Sequence, residues 1–371
     1  MKNYLLYTLV AIWNEPPRAR QQIANELKLE GKVYFVERNK IGYPHIEISK
    51  AEDNVIVITP YYPIDYRVRY RVSFINRTYS NWLLGKIKEL NLSFEFVMTF
   101  DYTTPAIHRY FSNVIFYCAD DNVGFGNFNP GWVNKYHTAA EQRVAQSATL
   151  CIVTSDYMGS KIGSYNPKTY VVPLGAPRIP LRENVENVAH KDMPSLGLVG
   201  YLDNNLDDEL LKKILTEFDT TLIGPVKEDS AAKLAKYPKA KLAGVKTGDA
   251  LYECLSRIDV CIAPYDVNKL NKGATPNKMW LYLALGKPAV ITNMPNIEKW
   301  QFEEGLVYRC TNDKFIENII QAYKDDNPKL AKKRMEVAAN STWQKRVDEI
   351  KELYYKSYLG YAHINKKKQR L

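Results

Sequence analysis

Short apolar runs alternate with helix-spaced amphipathic segments along most of this 371-residue chain, and that alternation restricts it to parallel β-sheet covered by helices. The strand-like runs of the first half are Tyr4 to Val10, Lys32 to Val36, Asn54 to Ile58, Phe94 to Thr99, Val114 to Cys118, Thr149 to Val153 and Thr169 to Val172. Between them Ser73 to Leu90 reads as a helix, with Ile75, Tyr79, Trp82, Leu83, Ile87 and Leu90 on one stripe. The pattern dissolves from Pro173 to Pro194, a stretch rich in proline and charge. A second alternation follows: Leu196 to Val199, Thr220 to Ile223 and Ile258 to Ala263 are strand-like, and Asp207 to Leu215 and Leu251 to Arg257 are helical. A chain of this length exceeds one ordinary core. The expectation is therefore an α/β protein with domains at 1–175 and 195–341, a linker at 176–194, and a final segment at 342–371. There Trp343, Val347, Ile350 and Tyr354 form the apolar stripe of a long helix that packs back on the first domain.

The stretch Asn271 to Val290, NKGATPNKMWLYLALGKPAV, follows a strand-like run that ends at Pro264. Thr275 can cap a helix, Pro276 suits its first turn, and Gly286 with Pro288 suits its stop. In a parallel sheet this helix start lies at the carboxyl ends of the strands, where its N–H groups favour an anion. Lys278 opposes the helix dipole there and suits a bound phosphate; a solvated surface lysine is the competing reading.

Lys and Arg number 51 against 41 Asp and Glu, a net charge of +10 that favours anionic partners without naming one. Arg67, Arg69 and Arg71 alternate with Val68, Tyr70 and Val72, and the chain ends in Lys366, Lys367, Lys368 and Arg370. A solvated face with a frayed tail and a role at an anionic membrane surface both remain open. No nucleic-acid reading module accompanies the charge, so nucleic acid is not an expected partner. Tyr4 to Trp13 is too short to span a bilayer and reads as a first buried strand. Cys118, Cys151, Cys254, Cys261 and Cys310 lack metal or disulfide spacing and mostly sit in apolar runs, which points to a reducing, cytoplasmic setting and no metal site.

No GxGxxG follows the first strand, and no Walker lysine motif, GxSxG elbow or HExxH occurs. The Gly124–Gly131 segment has the wrong spacing for phosphate and reads as a loop. Asp120 and Asp121 close the run NVIFYCA at the carboxyl end of a first-domain strand. Adjacent side chains on extended backbone diverge, so one faces a ligand while the other caps a loop, or both are turn residues.

Taken together, these segments resemble the GT-B glycosyltransferases, close to family 4 and to bacterial teichuronic-acid-type and capsule or exopolysaccharide transferases. The carriers are IWNEPPRARQQIANEL (Ile12 to Leu27), FYCADD (Phe116 to Asp121), Glu141 on the following helix, Val153-Thr154-Ser155, VPLG (Val172 to Gly175), GLVGYLDNNLDDELL, LIGPV, DVCIAPYD, PNKMWLYLALGKPAV and STWQKRVDEI, all in family order across nearly the whole chain. The resemblance implies two Rossmann-like domains facing across a cleft and transfer of a sugar from a nucleotide-sugar donor to a glycan or lipid-linked acceptor.

On that resemblance Gly200, Tyr201, Gly224, Pro225 and Asp266 line the donor pocket, and Thr275, Pro276, Asn277 and Lys278 meet the diphosphate. Trp13, Asn14 and Arg20 serve the acceptor, Asp120 or Asp121 acts near the acceptor hydroxyl, and no cofactor or metal is implied. The family's paired acidic positions fall here on Leu281 and Gly273, and a leucine cannot accept ribose hydrogen bonds. Asp266 is a candidate substitute for that contact. A non-catalytic partner protein, or a sugar-nucleotide epimerase, is the alternative.

Overall fold

The computed structural model describes residues 2–8, 10–124, 130–179, 192–202, 205–269, 272–297 and 300–368, with 359–368 as backbone. Leu9, most of the Gly124–Gly131 loop, most of the proline-rich linker and the side chains of Lys366, Lys367, Lys368 and Arg370 lie outside that set. The chain divides into two compact units. The first comprises Met1–Leu174, Asn271–Ala274 and Trp343–Leu371, and the second Gly175–Leu270 and Thr275–Thr342.

The first unit carries β1 (Lys2–Tyr7), β2 (Gly31–Val36), β3 (Lys40–Ile41), β4 (His45–Glu52), β5 (Val55–Tyr62), β6 (Phe96–Thr99), β7 (Val114–Cys118), β8 (Leu150–Val153) and β9 (Thr169–Val171). Its helices are α1 (Ala19–Leu27), α2 (Tyr66–Arg69), α3 (Ser73–Glu89), α4 (Ile107–Tyr110), α5 (Gly131–Ser147) and α6 (Asp156–Gly163). The sheet order is β3-β5-β2-β1-β6-β7-β8-β9, parallel along this path, with β4 antiparallel on β5. Central strands are buried on both faces, so they read as unbroken apolar runs. The α3 stripe buries Tyr79, Leu83 and Ile87 against them.

One strand was not anticipated, and one local expectation needed correction. The run from Asn54 is the second arm of a hairpin whose first arm, β4, is mostly exposed. Glu52 pairs with Val55 across Asp53 and Asn54, and Asn54 takes the left-handed φ of 62° that asparagine tolerates. The alternating Arg67, Arg69 and Arg71 do not form an extended face, because Asp65 accepts the Arg67 N–H and starts the short helix α2. Arg69 is then buried at 1% exposure, stacked 3.8 Å over Tyr79 and hydrogen-bonded to Asn39 and Asn76. It belongs to the core and not to any membrane-facing surface.

The second unit contains β10 (Leu196–Val199), α7 (Asp208–Glu217), β11 (Thr220–Ile223), α8 (Glu228–Leu234), β12 (Ala240–Gly244), α9 (Gly248–Ser256), β13 (Val260–Ala263), α10 (Asn277–Ala284), β14 (Ala289–Thr292), β15 (Val307–Cys310), α11 (Phe315–Asp325) and α12 (Pro328–Ala339). Its all-parallel order β12-β11-β10-β13-β14-β15 reverses direction between β10 and β13. A doubly wound sheet binds ligands at such a point, beyond the carboxyl ends of the strands. Leu198, Leu211, Ile214, Leu222, Ile262 and Phe315 form its core.

The last helix, α13 (Trp343–Lys368), belongs to the first unit. Trp343, Val347, Ile350 and Tyr354 are each buried, and the Tyr354 ring meets Phe96 edge-on at 5.4 Å. Among the described residues no helix is long and apolar enough to cross a membrane.

Candidate functional site

Gly200 follows β10 and Gly224 follows β11, with φ of +130° and +145° that favour glycine. A Cβ on Gly224 would lie 2.0 Å from the Gly200 carbonyl oxygen, so the two loop starts approach closely only as glycines. Leu202 N–H donates to the Pro225 carbonyl, which ties the loops together again; Tyr201 projects outward at 54% exposure.

Helix α10 brings Lys278 to this floor. Its N-cap is Pro276, whose ψ of 88° is not helical, so the helix begins at Asn277, and the expected Thr275 cap bond does not form. Lys278 is therefore the second helical residue. Its Nζ lies 3.1 Å from where a Gly200 Cβ would be, and 4.9 Å from the centroid of the Tyr265 ring. The helix ends as expected: Gly286 takes φ of 70°, its N–H donates to Leu283, and Lys287 N–H donates to Tyr282.

Buried tyrosine Tyr282 fixes the helix to the switch point. β10 and β13 pair only through Leu196–Val260 and Gly197–Cys261. Beyond these pairs the Tyr282 hydroxyl accepts from Val199 N–H and donates to the Ile262 carbonyl, both at 3.1 Å. It supplies the partners that the diverging strands no longer give each other. Nearby, Thr292 Oγ1 accepts from Tyr265 N–H and donates to Asn312, while Asn312 Nδ2 donates to the Tyr265 carbonyl and to Asp207. Tyr265 is thus held from both sides beneath the Lys278 ammonium.

Asp266 lies in the turn that follows β13. Its carboxylate accepts the Asn268 N–H and pairs with Lys269 at 3.4 Å, which closes its own turn. Leu281 is half-buried on α10. Gly273 belongs to the first unit, and a Cβ there would lie 3.0 Å from Met158 Cγ and 3.1 Å from Asp121 N. That crowding leaves no room for an acidic side chain without displacing Met158.

In the first unit, Asp120 is exposed beyond β7 and Asp121 is buried. Asp121 accepts from Gly124 N–H at 2.7 Å, from the Tyr157 hydroxyl at 3.1 Å and from Lys161 at 2.7 Å. Lys161 also pairs at 2.6 Å with Glu141, which is fully buried on α5. Burial opposes the Asp121 charge, but Lys161, the Gly124 N–H and Tyr157 outweigh it and hold that carboxyl below its usual range. Burial wins at Glu141 and pushes its carboxyl up. Of the adjacent aspartates, one caps and braces the loop, and the other is open to solvent.

Of the acceptor-side residues, Trp13 is used in packing. Its ring meets Phe35 edge-on at 5.2 Å and the Trp13 backbone N–H donates to the Glu37 carboxylate. Asn14 is exposed, and Arg20 pairs with Glu15 at 2.6 Å. Lys161, Tyr265 and Tyr282 carried no signal in the sequence, since each gains its role from partners 20 or more residues away.

Two doubly wound units with the last helix in the first are the GT-B fold. The fold matches that of sucrose-phosphate synthase from Thermosynechococcus elongatus with TM-score 0.72, 13% identity, and coverage of 97% of this chain and 100% of that one. It also matches HepE from Anabaena in complex with UDP and glucose, with TM-score 0.65, 13% identity, and coverage of 95% and 98%. In sequence, the chain is 26% identical over 213 residues to TuaH of Bacillus subtilis strain 168, a protein assigned as a teichuronic acid biosynthesis glycosyltransferase. That match covers 51% of this chain and 52% of TuaH, so the chain spans about half the length of this curated relative. Scanned against models of known protein families, the chain matches none.

Proposed function

We propose that this protein is a glycosyltransferase that moves a hexose from a nucleotide-sugar donor to a glycan or lipid-linked acceptor in bacterial surface polysaccharide synthesis. The observation that carries the reading is the convergence of Gly200, Gly224, Lys278 and the start of α10 at the switch point of the second unit. A helix start and an ammonium brought to one place, over a floor kept open by two glycines, suit a diphosphate, both bound and leaving. Lys278 and the helix start would neutralise that leaving group without a metal ion. HepE, which shares the fold, is described in complex with UDP, and TuaH with polysaccharide synthesis.

Asn14 and Arg20 would contact the acceptor. Asp120 would stand nearest its hydroxyl, because Asp121 is already engaged by Lys161 and Gly124. A paired, acidified carboxylate is a weak base. The five free cysteines suit a cytoplasmic setting, and a lipid-linked acceptor is reached only at a bilayer surface.

The test is calorimetric titration with a panel of nucleoside diphosphates. One of them should bind, and Lys278→Ala should weaken it about 10- to 100-fold, the loss of one charge-assisted contact of about 1.5–3 kcal/mol. No binding by any diphosphate, or unchanged affinity in the variant, would overturn the donor site. Slow hydrolysis of the matching nucleotide sugar separates an enzyme from a protein that only binds.

A further inference from the structure

Helix α8 contributes no buried residue to the second unit. It stands beside α7 on one face of the sheet, because both helices make right-handed crossovers along the series β10, β11, β12. The two do not close on each other, and a cleft of about 550 Å³ lies between them. Leu202, Leu206, Leu211 and Leu215 form its floor, with Leu234 and Tyr237 on the α8 side.

The rim of the cleft has positive charge in excess. Its two acids are already answered: Glu209 pairs with Lys212 at 2.5 Å, and Asp208 pairs with Lys269 at 3.4 Å. Lys233 and Lys236 are exposed on the opposite wall, where Ser230 adds a hydroxyl, and neither lysine forms an ion pair among the described residues. Glu228 and Asp229, the acids in the first turn of α8, do not line the cleft. An apolar floor under an ammonium rim suits a ligand with an apolar body and an anionic head. The floor leucines are sunk deep, Leu202 at 3% and Leu206 at 2% exposure, so only a slender chain reaches them. A docked helix, about 10 Å across, would ride on the rim instead. A saccharide would find no amide side chain along the lining and no carboxylate without a cation.

We propose that this cleft binds one molecule of an anionic amphiphile, with its alkyl or prenyl chain between α7 and α8 and its phosphate or carboxylate head on Lys233 and Lys236. The cleft shares no residue with the proposed donor site, although the two are neighbours: Leu202 lines the cleft, and its N–H donates to the Pro225 carbonyl beside Gly224. Amphiphile binding and diphosphate binding therefore succeed or fail separately.

The experiment is calorimetric titration and thermal denaturation of the full chain with decyl phosphate, held below its micellar concentration. Decyl phosphate should bind at one site and raise Tm. Inorganic phosphate should not bind, and a neutral decyl glycoside should bind about tenfold or more weakly, since it lacks the charge-assisted contacts. Lys233→Ala with Lys236→Ala should weaken decyl phosphate about tenfold and leave the Tm of the free protein unchanged, because both side chains are exposed. Ser230→Trp, which fills the mouth of the cleft, should abolish binding; if that protein does not fold, the lysine pair decides. Lys278→Ala should bind decyl phosphate as wild type does, which separates this cleft from the donor site. The proposal is overturned by no binding, by equal binding of the neutral glycoside, by binding that survives the lysine pair, or by binding lost with Lys278→Ala.

Discussion

The Lys278 ammonium stands 3.1 Å from the point that a Cβ on Gly200 would occupy, and Gly200 itself holds φ of +130°. A side chain at Gly200 would meet both constraints at once. Gly200→Ala should cost about 1–3 kcal/mol of stability through backbone strain and should also weaken nucleoside diphosphate binding. Lys278→Ala should weaken binding with little change in Tm. Thermal denaturation with and without the diphosphate separates the two; a Gly200→Ala protein that melts and binds like wild type would refute the geometry.

Tyr282 joins strands that no longer pair directly. Tyr282→Phe removes the hydroxyl that serves Val199 N–H and the Ile262 carbonyl, and should destabilise the protein by about 1–3 kcal/mol. Urea unfolding should show a lower midpoint at unchanged slope. Because Val199 leads directly into Gly200, diphosphate affinity should fall as well.

The pair of carboxylates around Lys161 gives a pH dependence whose sign can be worked out. Burial raises the folded-state pKa of Glu141 above its ordinary value of 4.5, so the folded protein holds that proton more tightly than the unfolded chain. Above the folded pKa the charged form carries a penalty, and the penalty is relieved as pH falls toward 4.5. Asp121 runs the other way, contributing stability above its unfolded pKa that is lost in stronger acid. The Tm difference between wild type and Glu141→Gln should therefore move in favour of wild type as the pH is lowered from neutral toward the ordinary carboxyl value of 4.5. A constant difference would place Glu141 outside this coupling.

Arg69 and Arg67 should behave as opposites although only one residue separates them. Arg69→Ala leaves the Asn39 and Asn76 side-chain oxygens without their donor and empties the space over Tyr79; a loss of about 3–5 kcal/mol is expected. Arg67→Ala should leave Tm unchanged. Paired melting curves decide the matter.

Much of the architecture was legible because parallel strands buried on both faces leave continuous apolar runs, and helices leave periodic ones. The carboxyl-end position of Lys278 followed from that order, whereas Gly200 and Gly224 were singled out only by the family resemblance. Legibility failed where an environment reassigns a side chain. Alternating arginines looked like a surface until Asp65 capped a helix and turned Arg69 inward. The β4 arm was missed because an exposed hairpin edge carries few apolar residues. Nothing in the sequence distinguished Asp120 from Asp121, since the distinction is made by Lys161 and Gly124.

By itself the sequence determined what local periodicity and backbone chemistry can encode: two α/β halves, glycines where φ must be positive, and a helix stopped by Gly286. Only the tertiary structure decided which charges are neutralised, which are buried and which remain for a ligand. Those outcomes depend on partners far apart in the chain, as with Lys161 reaching both Asp121 and Glu141 and Tyr282 reaching both Val199 and Ile262. Electrostatic and hydrogen-bond energies are set by distance in space and by exclusion of water, and neither is written in the order of residues.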